Sequence, residues 1–62
     1  MQEFQVLLKE ESQVDLFVNF IENNNYGKWS ILFNTKDGTQ LEIITPNEIY
    51  KERILNFKDN LR

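Results

Sequence analysis

Residues 28–45 read KWSILFNTKDGTQLEIIT, and the way this stretch turns back on itself decides what domain the chain can build. Lys28–Thr35 carries Trp29, Ile31 and Phe33 at alternate positions, the period of a strand with one buried face. Residues 39–45 repeat the pattern with Leu41 and Ile43, and Lys36-Asp37-Gly38 lies between the two runs. A two-residue Asp-Gly loop would pair Phe33 with Glu42 and Asn34 with Leu41, mixing polar and apolar side chains on both faces. A three-residue loop pairs Phe33 with Leu41, Ile31 with Ile43 and Trp29 with Thr45. The second register keeps one face apolar, which a one-residue slip would destroy. It also sets Gly38 at the left-handed position of a type I turn with a G1 bulge.

Upstream, residues 4–9 (FQVLLK) alternate again, with Phe4, Val6 and Leu8 on one side and Leu7 as an apolar residue on the other. Ser12 followed by Asp15 resembles a capping box and opens a helical pattern. Val14, Phe17, Val18 and Ile21 keep helical spacing, and Leu16 and Phe20 widen the stripe. Asn23-Asn24-Asn25 should stop the helix, because Asn tolerates the left-handed conformation of helix ends, and Tyr26-Gly27 completes the turn. Downstream, Thr45 at N-cap, Pro46 at N1 and Glu48 at N3 predict a helix over 46–61. Its inner stripe is Tyr50, Ile54, Phe57 and Leu61, and Lys58 and Arg62 suit its C-terminal dipole.

The expected order is β-α-β-β-α in a single α+β domain over residues 1–62. The first strand can sit beside the second as a direct βαβ unit. Alternatively it sits beside the third, giving an antiparallel sheet of order 1-3-2. The latter is favoured because it sets Phe4, Val6 and Leu8 against Leu41 and Ile43. Both helices then cover one face, lined by Phe4, Val6, Leu8, Trp29, Ile31, Phe33, Leu41 and Ile43.

Composition removes whole classes of chemistry. The 62 residues include no Cys and no His. Disulfides, thiolate zinc sites and cysteine nucleophiles are therefore excluded, together with the commonest general base. So short a chain buries only about 60% of its unfolded surface, which leaves little room for a pocket. The two glycines stand eleven residues apart in unrelated loops and match no phosphate-binding pattern. Ser12 and Ser30 have no His to activate them. Glu10-Glu11 and Glu48 with Glu52 read as helix-end charge rather than as a carboxylate site. No enzymatic activity, metal or cofactor is expected.

Seven Lys and Arg stand against ten Asp and Glu, a net charge of −3. The cations are scattered singly, unlike the clusters of nucleic-acid binders. No apolar run reaches the roughly 18 residues of a membrane span, and residues 2–4 lack a basic leader pattern, so a cytoplasmic location is expected without membrane contact. There is no Ala, against eight Asn and six Ile. That bias fits AT-rich coding and suggests a low-GC bacterium, or a phage or mobile element within one.

The uncovered sheet face should carry Leu7, Leu32 and Ile44. Such residues can be ordinary exposed apolar groups, or they can form a contact surface for another protein, most simply a second copy. The last helix offers a competing dimer seam through its inner stripe. Tyr26, taken as free in its loop, is a further contact candidate. Tyr26 with Lys28 is also the one segment suited to stacking and neutralising a nucleic acid. The expected function is thus a homodimeric protein-interaction module, such as an inhibitor or accessory factor. The alternative is a small nucleic-acid-binding regulator acting as a dimer.

Overall fold

The computed structural model describes residues 1–61. Its elements are β1 (Gln2–Leu8), α1 (Glu11–Asn24), β2 (Lys28–Thr35), β3 (Gly38–Thr45) and α2 (Glu48–Asp59). The sheet has the order β1-β3-β2 with both pairings antiparallel. This is the expected α+β arrangement, with the connection through α1 carrying the chain over the central strand. No helix among the described residues is long and apolar enough to cross a membrane. Arg62, assigned above to the helix C-terminus, lies outside the described residues.

One face of the sheet is covered. Thr39, Leu41, Ile43 and Thr45 of β3 are buried, as are Val6 and Leu8 of β1. Over them pack Val14, Phe17, Val18 and Ile21 of α1, the four positions marked by helical spacing, and Ile54 of α2. Tyr50, Phe57 and Leu61 pack part-buried beside this core, so the α2 stripe serves packing within the chain.

Both helix starts differ from expectation. For α1 the N-cap is Glu10, not Ser12, and the Glu10 N–H donates to Gln13 Oε1 at 3.2 Å. For α2 the N-cap is Asn47, whose Oδ1 accepts the Tyr50 N–H at 2.9 Å. Thr45 cannot cap because β3 keeps it: it pairs with Gln2, and its buried hydroxyl donates to the Tyr26 carbonyl at 2.6 Å.

The end of α1 behaves as its Asn run implies. Asn25 is left-handed at φ 54°, and its N–H donates to Glu22 O while the Tyr26 N–H donates to Ile21 O. This pair of bonds is a Schellman motif, which brings the residue after the left-handed position back against the last turn. Tyr26 therefore packs into the core with Ile21.

The hairpin register also differs. Only Lys36 and Asp37 form the loop, Thr35 pairs with Gly38, and Phe33 pairs with Gln40 rather than Leu41. Thr35 ties this tighter turn by accepting the Asp37 N–H and donating to the Gly38 carbonyl. A bulge at Leu32 then shifts the register, so that Ile31 pairs with Leu41 and Trp29 with Ile43. The extra residue reverses the side on which later side chains fall. Trp29 keeps its place against the core, whereas Phe33 passes to the open face. Gly38 has φ 137°, and a Cβ there would lie 2.7 Å from the Leu8 carbonyl. Its need for glycine comes from this approach of β1 as well as from the turn.

Gly27 is equally constrained, since a Cβ would collide with the Ile44 carbonyl. Gly27→Ala should cost at least about 2 kcal/mol in urea unfolding, because backbone on both sides must move. Asn25→Val should cost about 1–2 kcal/mol for its left-handed backbone, and Asn25→Gly should be neutral or stabilising.

Candidate interaction surface

The open face is laid out by the strand pairings as three cross-strand rows. At the hairpin end Leu7 and Phe33 flank Gln40; in the middle Gln5 and Ser30 flank Glu42; at the far end Glu3 and Lys28 flank Ile44. Gln40 and Ile44 are four residues apart, about 13 Å along a strand. Leu7 and Ile44 therefore do not belong to one patch. Ile44 is part-buried and borders a shallow cleft of about 370 Å³ with Met1, Lys28 and Pro46.

Three consecutive exposed apolar residues stand on β2, while Leu7 of β1, Leu16 of α1, Ile49 of α2 and Met1 are exposed elsewhere. Ile31 is 49% exposed, Leu32 39%, Phe33 62% and, on the far side of Gln40, Leu7 46%. Of the expected contact residues, Leu7 and Leu32 are thus accessible. Phe33 and Ile31 were expected in the core and are not there. Phe33 leaves because the tighter turn changes its side. Ile31 keeps the helix side but stays exposed, because β2 is an edge strand that the helices leave largely uncovered. Among β2 residues only Trp29 is part-buried. Two run-on signals in the sequence could have pointed to this: the unbroken Ile31-Leu32-Phe33 triplet, and a Thr before Lys-Asp-Gly able to close a two-residue turn.

Tyr26 is not free in its loop. Its ring meets Phe20 edge-on at 5.4 Å and Tyr50 at 4.8 Å, and its hydroxyl accepts from Arg53 Nη1 at 3.2 Å. That hydrogen bond, reinforced by the charge interaction with Tyr26, raises the Arg53 guanidinium above its ordinary range, so it stays cationic throughout. With the ring enclosed, the exposed Lys28 does not have the Tyr26 ring beside it for base stacking.

A cleft of about 340 Å³ where β1 ends is bordered by Lys9 and Lys58 but also by Glu10 and Asp59. Among the described residues no three acidic groups converge as metal ligands. What the surface can do is bury apolar area, at about 1.5–3 kcal/mol for each large side chain fully covered. Comparison with protein-family models, characterised proteins and solved structures found no match.

Because Thr45 supplies the donor to a buried carbonyl, Thr45→Val should destabilise by about 1–3 kcal/mol in chemical unfolding. Tyr26→Phe should cost distinctly less, since the exposed Arg53 guanidinium exchanges the hydroxyl for water.

Proposed function

We propose that the chain is a small non-enzymatic protein-interaction module working as a homodimer, with its contact centred on β2. The carrying observation is the exposure of Ile31, Leu32 and Phe33 in consecutive positions, with Leu7 close by. Scattered apolar residues are normal on a protein surface, but a contiguous group on a chain with so little core is a costly feature without a partner. The absence of His and Cys supports the same reading, because it removes the commonest general base and the thiol nucleophile. A role as an inhibitor or accessory factor of a phage or mobile element in a low-GC bacterium is consistent with the Ala-free composition.

The competing function, nucleic-acid recognition by a dimer, loses support from the burial of Tyr26. Its remaining elements are isolated cations on a chain of net charge −3.

Sedimentation equilibrium from micromolar to millimolar concentration tests the proposal. Reversible dimers whose stability changes little with salt are expected, with no binding to single- or double-stranded oligonucleotides. Phe33→Asp should abolish the dimer while leaving the far-UV circular dichroism unchanged. A monomer at every concentration that binds oligonucleotides with steep salt dependence would favour the nucleic-acid function instead.

A further inference from the structure

We infer that the β2 edge pairs with the β2 edge of a second copy, antiparallel about a two-fold axis, joining two three-stranded sheets into one. The inference rests on the homodimer proposed above and specifies how that dimer is built.

The first argument is the position of the exposed side chains. Ile31 lies on the helix side of the sheet with Leu41, and Phe33 on the open side with Gln40. A partner seated on the open face would cover Phe33 and leave Ile31 in water. A partner seated against the helices would do the reverse. Only a partner lying along the edge can cover both, since a strand added there projects side chains to both faces.

The second argument is the edge itself. β2 has one strand neighbour, β3, so the main-chain groups along its other edge face no strand. Exposed edges are normally blunted by charge, proline or a bulge. Here Trp29–Thr35 contains no charge and no proline, and it is the longest uncharged run in the chain. The devices present are Lys28 at the start of β2 and the bulge at Leu32, and the bulge sends Ile31 and Phe33 to opposite faces. The β1 edge differs in having its apolar Val6 and Leu8 buried, with Leu7 half exposed and Glu3 on its open side as Lys28 is on that of β2.

The third argument selects a second copy. All ten acidic residues lie outside Trp29–Thr35, so two chains of charge −3 can meet there without opposed carboxylates. Antiparallel pairing carries Lys28 of each chain toward the hairpin turn of the other, where Lys36 and Asp37 are adjacent and together carry no net charge. Parallel pairing would set Lys28 against Lys28. A standard interface takes about 800 Å² from each partner, under a fifth of the 4484 Å² accessible here. An edge contact lies at or below that size, so micromolar dissociation is expected.

The test compares Ile31→Lys with Leu7→Lys by sedimentation equilibrium of the full chain. Both side chains are about half exposed, so both variants should fold, as checked by circular dichroism. Ile31→Thr gives a milder second probe of the same position. Edge pairing predicts that Ile31→Lys raises the dissociation constant at least about tenfold and that Leu7→Lys changes it by less than about threefold. Added protection of β2 amides from hydrogen exchange should appear on concentration. A dimer weakened by Leu7→Lys as much as by Ile31→Lys would overturn edge pairing in favour of packed open faces. A dimer indifferent to Ile31→Lys and Ile31→Thr would overturn it while leaving the homodimer standing. A wild-type monomer at every concentration would overturn both.

Discussion

The central strand β3 must satisfy hydrogen bonds along both edges while holding Thr39, Leu41, Ile43 and Thr45 on one side. Each other element is adjusted to that demand. β1 meets it by simple alternation, with Phe4, Val6 and Leu8 falling opposite Ile43, Leu41 and Thr39. β2 meets it only by carrying an extra residue, because its turn starts the pairing one step out of phase. Thr45 is held in the sheet by the same demand, which passes the cap of α2 on to Asn47. The Thr45 hydroxyl in turn fixes the carbonyl of Tyr26, linking the end of β3 to the end of α1.

A domain of this size has few ways to hold itself together without disulfides or a metal. Here the supports are local and numerous. A Schellman motif ends α1, a side-chain cap starts α2, and two glycines let backbone segments approach where any Cβ would meet a carbonyl. Phe20 stacks on Phe57 at 4.0 Å, tying the two helices together above the sheet. Among the described residues no buried side-chain polar atom lacks a partner. The core is thus satisfied within one chain, and the exposed apolar residues include the consecutive Ile31, Leu32 and Phe33 of the edge strand β2.

The parts legible from sequence share a cause. Helix α1, its buried set and its stop in the Asn run follow from periodicity and from conformational preference, both of which act within a few residues. The strand order followed from matching the faces of β1 and β3. The hairpin was legible in existence but not in register. Two loop lengths were weighed on the cleanliness of a face, and a bulge allows a third solution in which part of each strand is clean. Tyr26 was misplaced for a related reason: a residue just beyond a helix looks like loop, yet the Schellman turn directs it inward. On the candidate surface, Leu7 and Leu32 were legible as exposed, whereas Phe33 and Ile31 were not, because their exposure depends on the bulge and on which strand the helices cover.

By itself the sequence determined the element order, the absence of cysteine and histidine chemistry, the buried stripe of α1 and the uncharged character of residues 29–35. These are properties of residue type and short-range spacing. Tertiary structure alone decided which residues of that uncharged run face water, which residue caps α2, and that the Tyr26 ring is enclosed. Each of those outcomes is a competition between distant segments for the same hydrogen bonds and the same buried volume. β3 settles it, since it pairs with β1 from the start of the chain and β2 from its middle while both helices pack against it.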